Sequence, residues 1–156
     1  YDPEFSGLNS RMTEFSAALG VESLNALEKN VLRRNKMAGL YKELLSKIPG
    51  IGFQKIEKNN RSSYKDFSIF IEKDEFGMDR DRLYTLLSAE NIGVRKYFYP
   101  PLHRQKAFLR FGQGGKDLPN TDLVSQASLS LPLYSHIKTS DIKKICAFIK
   151  KLHQGK

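Results

Sequence analysis

The spacing of apolar side chains over about residues 21–47 limits the fold more than any other feature of the sequence. Apolar residues recur there every three or four positions, which is the period of a helix with one buried face. They are Leu24, Leu27, Val31, Ala38, Tyr41, Leu45 and Ile48. The opposite face carries basic side chains, and Pro49-Gly50 follows as a stop signal. The spacing therefore predicts one long amphipathic helix.

A shorter helix is predicted before it, over residues 10–19. Met12, Phe15 and Leu19 have helical spacing there, and Gly20 is a natural stop. The two helices would then be separate elements, joined at the glycine.

The rest of the sequence alternates between strand and helix. Phe67, Ile69 and Ile71 occupy every second position, which is the period of a half-buried strand. Strands are predicted over 51–57, 64–72, 92–97 and 128–133, and helices over 79–91, 120–127 and 140–153. This order predicts an α+β fold with a small antiparallel sheet packed by helices.

The length of 156 residues is about that of one domain, so residues 1–156 are taken as a single domain. The sequence has no βαβαβ alternation and no phosphate loop of the Walker or Rossmann type. A doubly wound nucleotide-binding fold is therefore disfavoured.

The charge balance favours anionic partners. The 26 basic and 17 acidic residues give a net charge of +9, which suits phosphates, nucleic acid or an acidic surface of the same protein. No apolar run approaches the roughly 18–20 residues of a membrane span, and no segment resembles a secretory signal. We therefore expect a cytoplasmic protein, with the single Cys146 buried as a free thiol.

Metal binding and nucleophilic catalysis are not predicted. His103, His136 and His153 are widely separated, and no cluster of cysteine and histidine occurs. Two Ser-x-x-Lys spacings, at 62–65 and 140–143, are short enough to arise by chance. The glycines of FGQGGK, residues 111–116, are interpreted as a surface turn.

GLNSRM, residues 7–12, has two interpretations. Asn9 or Ser10 is a candidate cap for the helix that follows. The same helix start offers free N–H groups to an anion, and the planar fork of Arg11 suits phosphate or carboxylate.

VRKYFYPPLHRQKAF, residues 94–108, is the second segment with candidate binding residues. Pro100 and Pro101 stiffen a stretch that presents Tyr97, Tyr99 and His103. A rigid loop with aromatic and polar tips can form the wall of a small-ligand site. Alternatively, Phe98 and one tyrosine plug the core while His103 bonds a carbonyl.

Taken in order, these segments resemble the DegT/DnrJ/EryC1/StrS family of PLP-dependent nucleotide-sugar aminotransferases. The resemblance rests on GLNSRMTEFSAALG, the long helix, PGI, YKDFSIFI, RDRLYTLLSAENIGVRKYFYPPLHRQKAF and ASLSLPLY. It implies the small C-terminal domain of a fold type I enzyme that works as a homodimer. It also implies transfer of an amino group from glutamate to a ketosugar linked to a nucleotide.

The resemblance assigns roles to the candidate residues. Asn9 is expected to reach the phosphate of pyridoxal 5'-phosphate (PLP), generally in the partner subunit's site. Arg11 is expected to face the substrate, and Tyr97, Tyr99 and His103 to line the sugar-binding cleft. The Schiff-base lysine of the family lies upstream of the GLNSRM-like segment, so it would precede Tyr1, in an N-terminal domain absent here. The chain alone is therefore expected to be inactive and to hold no PLP.

Two other functions fit the same sequence. The net charge of +9, the basic final helix and the aromatics among lysines near 95–110 would suit a nucleic-acid-binding module. The second alternative function is that of a non-catalytic regulatory domain with the same fold. No known nucleic-acid motif is present, so we do not expect nucleic acid as a partner. No apolar run is long enough to span a membrane, so we do not expect a membrane as a partner either.

Overall fold

The computed structural model describes residues 7–8, 10–110 and 118–155. It is an α+β structure with a three-stranded antiparallel sheet, as predicted. In chain order the elements are α1 (Glu14–Leu45), β1 (Ile51–Phe53), β2 (Phe67–Ile71), α2 (Lys73–Phe76), α3 (Arg80–Ala89), a 3-10 turn (Leu102–Arg104), α4 (Lys106–Leu109), α5 (Pro119–Ala127), β3 (Ser128–Leu131) and α6 (Thr139–Gln154).

The helix α1 is continuous for 32 residues, so the predicted break at Gly20 is wrong. The helix begins after Thr13, whose side chain accepts a hydrogen bond from the backbone N–H of Ser16 at 3.1 Å. Glycine stops a helix when it turns into the left-handed conformation, and Gly20 stays helical. A glycine inside a helix costs only about 1 kcal/mol relative to alanine, which neighbouring helix formers offset.

Burial divides α1 into two parts. The C-terminal half, residues 31–45, contributes Val31, Ala38, Tyr41 and Leu45 to the core, as predicted. Leu24 and Leu27 were predicted to be buried with them, but they are 68% and 47% exposed. The sheet and α6 cover only the C-terminal half, so the N-terminal half, residues 14–30, has no neighbour among the described residues that would bury its apolar side chains.

The sheet has the order β1-β2-β3, with β2 at the centre. Ile51 pairs with Ile71, and Phe67 pairs with Leu131 on the other side. The side chains of Phe67, Ile69 and Ile71 are buried, which confirms the predicted alternation.

The predicted strand over 92–97 is wrong. Only Arg95 pairs with the sheet, through two hydrogen bonds to Ser130 of 2.8 and 3.1 Å. The chain then enters a stretch with Pro100 and Pro101, which have no N–H to continue the pairing. The tract 51–57 is likewise shorter than predicted, since only Ile51–Phe53 pairs.

The helix α1 ends at Leu45, slightly before the predicted end near residue 47, and Pro49-Gly50 lies in the turn that follows. Gly50 is required where it lies. Its φ of +74° is in the left-handed region, and a Cβ there would collide with the backbone nitrogen of Phe76. The N–H of Gly50 donates to the Glu75 carboxylate at 3.1 Å. The turn therefore joins α1 closely to α2.

The core lies between the sheet, α1 and α6. Tyr41 stacks on Phe67 at 5.0 Å between ring centres, and its hydroxyl donates to the carbonyl of Pro132 at 3.0 Å. Cys146 is buried in the same core, and burial raises the pKa of its thiol to about 12. The prediction of a buried free thiol is confirmed.

A candidate substrate-binding loop and its support

Residues 97–105, here called the aromatic loop, present three aromatic rings at the surface. Tyr97 stacks on Phe98 with ring centres 4.9 Å apart. Phe98 is 72% exposed and Tyr99 is 53% exposed, so the alternative in which Phe98 plugs the core is wrong. The peptide bonds before Phe98 and Pro100 are cis. The loop therefore offers ring faces and tyrosine hydroxyls to a ligand.

Arg80, at the start of α3, lies directly behind this loop. Its side chain is buried, and one terminal nitrogen donates to the carbonyls of Ser125 and Ser128 at 3.1 and 2.9 Å. Its Nε donates to the Asp81 carboxylate at 2.7 Å. The guanidinium carbon lies 5.0 Å from the centre of the Tyr99 ring, a cation–π contact.

Two serines connect the same region to the loop backbone. The hydroxyl of Ser125 donates to the carbonyl of Phe98 at 2.7 Å, and that of Ser128 donates to the carbonyl of Tyr97 at 3.5 Å. Within the loop, the Gln105 amide donates to the carbonyl of Pro100 at 3.1 Å. The backbone of the loop is thus held by two serines from outside it and by one of its own side chains.

His103 lies at the base of the loop rather than at its tip. Its side chain is only 11% exposed, and its Nε2 is 3.0 Å from the Asp122 carboxylate. Arg104 binds the other oxygen of Asp122 at 2.8 Å. The hydrogen bond from Arg104, with a smaller contribution from His103, holds the pKa of Asp122 below its usual range. His103 therefore bonds a carboxylate, not the carbonyl of the alternative interpretation.

Lys96 and Asp81 form a second ion pair beside the loop. The lysine nitrogen is 2.6 Å from the carboxylate and 4.4 Å from the centre of the Tyr84 ring. The hydrogen bond from Lys96 lowers the pKa of Asp81, and the charge of Arg80 adds to this effect. Asp81 thus remains charged between two cations.

The GLNSRM segment is only partly described. Asn9 lies outside the described residues, so its predicted PLP-phosphate contact stays a prediction. The helix cap is Thr13, so the expected cap at Ser10 is wrong. Arg11 is exposed, and none of the hydrogen bonds or ion pairs found among the described residues joins it to the aromatic loop. The structure brings Tyr97, Tyr99 and His103 into one loop and leaves Arg11 apart.

The described residues do not by themselves fit PLP. A Schiff-base lysine is activated by a desolvated or cationic surrounding, which favours its neutral amine. In the described ranges every lysine is exposed except Lys42 and Lys96, which are half-buried. Lys42 lies over the Tyr64 ring, and Lys96 is paired with Asp81. Neither has the buried, unpaired position that the cofactor requires.

No group of three potential metal-ligating side chains lies together in the described part of the chain. None of its helices is long and apolar enough to cross a membrane.

Sequence reasoning missed Arg80, Ser125, Ser128 and Asp122. Arg80 follows Asp79, whose side chain caps α3 by accepting from the N–H of Arg82. A charged residue just after a helix cap is usually exposed to solvent, and the sequence around Arg80 fits that usual case. Its partners lie 45 and 48 residues further along the chain, so no local signal marks it as buried.

Comparison with known proteins identifies relatives over almost the whole chain. The pattern of the DegT/DnrJ/EryC1/StrS aminotransferase family matches residues 1–150. A dTDP-4-amino-4,6-dideoxy-D-glucose transaminase of Escherichia coli is 35% identical over 140 residues, which make up 89% of this chain and 38% of that protein.

Solved structures agree. A DegT DnrJ EryC1 StrS aminotransferase from Brucella abortus is 31% identical, with a TM-score of 0.83 over 98% of this chain and 39% of its own. DesI, determined in the presence of its TDP-sugar product, is 27% identical, with a TM-score of 0.84 over 96% of this chain and 38% of its own. This chain therefore spans less than half of these proteins, and it belongs to the DegT/DnrJ/EryC1/StrS aminotransferase family.

Proposed function

We propose that this chain is the C-terminal domain of a PLP-dependent aminotransferase that transfers an amino group from glutamate to a ketosugar linked to a nucleotide. The observation that carries the proposal is the exposed aromatic loop, fixed by buried polar contacts, in a member of this family. The E. coli relative is a transaminase of a dTDP-linked amino sugar, and DesI was solved with a TDP-sugar. These names favour a nucleotide-sugar as the ligand.

The aromatic loop is proposed to form one wall of the sugar site. Sugar rings have apolar faces that pack on aromatic rings, and their hydroxyls bond to polar groups around those rings. Tyr97 and Tyr99 combine both kinds of group. His103 acts here through Asp122, which orders the base of the loop.

Asn9 and Arg11 are proposed to serve a different part of the complete site. Asn9 would bind the PLP phosphate of a partner subunit in a homodimer. Arg11 would bind the donor carboxylate or the sugar nucleotide, because its exposed fork can hold two anionic oxygens at once. Arg11 makes no hydrogen bond or ion pair with the aromatic loop among the described residues, which is compatible with contributions to two different active sites.

The catalytic lysine is proposed to lie in the part of the relatives that this chain does not span. The described lysines lack a suitable surrounding, and the chain spans only 38% of the E. coli relative. By itself the chain then supplies substrate contacts but no transamination.

Binding of TDP-glucose, measured by NMR titration, tests the proposed sugar wall. Tyr99→Ala is expected to weaken binding about tenfold, because it removes an aromatic contact. Tyr134 is a matched control, since it is 51% exposed and lies beyond β3, away from the loop. Tyr134→Ala should change the affinity less than about twofold. Equal effects of the two variants would contradict the proposed site.

Mixing the chain with PLP tests the proposed absence of catalysis. We expect no absorbance band of an internal aldimine and no lysine labelled after borohydride reduction. A stoichiometric band traced to one lysine of this chain would contradict the proposal.

The basic surface of α6 does not favour the nucleic-acid alternative. Its exposed lysines, Lys143, Lys144, Lys150 and Lys151, have no exposed aromatic side chain among them on that helix. Single-stranded nucleic acid is bound by stacking platforms beside cations. Binding of oligo(dT) with a steep salt dependence, in place of TDP-glucose binding, would reverse this conclusion.

A further inference from the structure

Arg80 is a buried cation, and the proposed function assigns no role to it. Only 3% of its surface is exposed, and burying a charge is unfavourable unless it is paired and hydrogen-bonded. The surroundings of Arg80 meet that need with one carboxylate and two carbonyls.

The two carbonyls belong to the end of α5. Ser125 lies in the last turn of α5 and Ser128 is its C-cap, so both carbonyls are at the negative end of the helix dipole. One nitrogen of Arg80 donates to both. Arg80 therefore fixes the end of α5 against the start of α3.

The same two serines hold the aromatic loop. While their carbonyls accept from Arg80, their hydroxyls donate to the carbonyls of Phe98 and Tyr97. A displacement of Arg80 would move the serines and, through them, the backbone under both rings.

Arg80 also touches the loop directly. The guanidinium lies 5.0 Å from the centre of the Tyr99 ring and covers one face of it. About half of Tyr99 remains accessible to a ligand, since the residue is 53% exposed. A lysine would keep the charge but lose the planar fork that serves the carbonyls, the carboxylate and the ring together.

We propose that Arg80 is a positioning residue, which sets the orientation at which Tyr97 and Tyr99 meet a nucleotide-linked sugar. This inference rests on the proposed function. Arg80 acts through two routes, the hydroxyls of Ser125 and Ser128 and the ring of Tyr99. It does not itself touch the ligand.

The experiment compares Arg80→Lys and Arg80→Met with Arg82→Lys, a control on the exposed side of the same helix. Amide exchange in residues 97–105 should accelerate about tenfold in both Arg80 variants, while exchange in Phe67–Ile71 should not change. The NMR signals of the Tyr99 ring should shift, and those of Tyr134 should not. Arg82→Lys should match the unaltered chain in each measurement.

Affinity for TDP-glucose supplies the second readout. Arg80→Met is expected to weaken binding about tenfold, and Arg80→Lys to restore only part of that loss. If neither Arg80 variant folds, Ser125→Ala removes one route alone and should accelerate exchange in residues 97–99. Unchanged exchange and unchanged Tyr99 signals would overturn the proposal. A mobile loop with full affinity would also overturn it, because positioning would then not matter to the ligand.

The two hypotheses can fail separately. If the unaltered chain does not bind TDP-glucose, the proposed function is contradicted. The exchange rates and the Tyr99 signals then still decide whether Arg80 fixes the loop.

Discussion

The two halves of α1 have the same apolar spacing and opposite surroundings. In the C-terminal half, Tyr41 and Leu45 are fully buried against the sheet and α6. In the N-terminal half, Phe15, Leu19 and Leu24 are exposed. One continuous helix therefore includes both a core element and an uncovered apolar surface.

The difference shows what periodicity does and does not determine. Apolar spacing selects the side of a helix that faces a partner. It does not say whether that partner is in the same chain. Among the described residues, no neighbour buries the apolar side chains of the N-terminal half.

The largest expected difference between the halves is in stability. Leu45→Ala should lower the free energy of unfolding by about 3 kcal/mol, because it leaves a cavity in the core. Leu24→Ala, the matched change in the N-terminal half, should alter it by less than about 0.5 kcal/mol. Urea denaturation measures both. Comparable losses would mean that the N-terminal half is packed in the isolated chain.

Self-association is the next test of the comparison. Apolar surface on the N-terminal half and on the segment before it, formed by Leu8, Met12, Phe15 and Leu19, should associate between copies of the chain. Phe15→Lys should weaken this association about tenfold by removing one large apolar contact. Analytical ultracentrifugation measures it, with Lys150→Glu, at an exposed position on α6, as a control. A chain that stays monomeric at high concentration contradicts the prediction.

The smallest expected effect concerns the aromatic loop, which is attached by hydrogen bonds and ion pairs rather than by apolar packing. The Arg104 hydrogen bond lowers the pKa of Asp122, so the folded chain binds that proton less tightly than the unfolded chain. The resulting stabilisation is present above the unfolded pKa of about 4 and is lost as the pH falls through the folded value. Asp122→Asn should therefore lower the melting temperature at pH 7 and have less effect in acid.

Asp66→Asn, at an exposed position, is the control for that change and should have little effect at either pH. A melting-temperature difference for Asp122→Asn that does not depend on pH would show that the carboxylate charge is not what holds the loop.

The packed part of the fold was predictable because its contacts repeat a local pattern. The alternation of Phe67, Ile69 and Ile71 gave the central strand, and the apolar spacing around Tyr41 gave the helix that covers it. The predicted helix end at Gly20 was wrong because a glycine stop signal is only a local preference. The helix continues through it, since residues on both sides favour the helical conformation.

The candidate site was predictable only in part. Crowding of aromatic residues and prolines marked Tyr97 and Tyr99, which do lie together at the surface. The support behind them was hidden, because the partners of Arg80 are distant in sequence. The role expected for His103 in the sugar-binding cleft stays a prediction, and its bond to Asp122 depends on the placement of α5.

The continuity of α1 also has a mechanical consequence. At roughly 1.5 Å per residue, the 17 residues 14–30 form a lever arm of about 25 Å with no hinge at Gly20. A tilt of about 5° at the edge of the core would displace its tip by roughly 2 Å. Any partner bound to the tip is therefore coupled rigidly to the sheet, and small changes on either side are transmitted to the other.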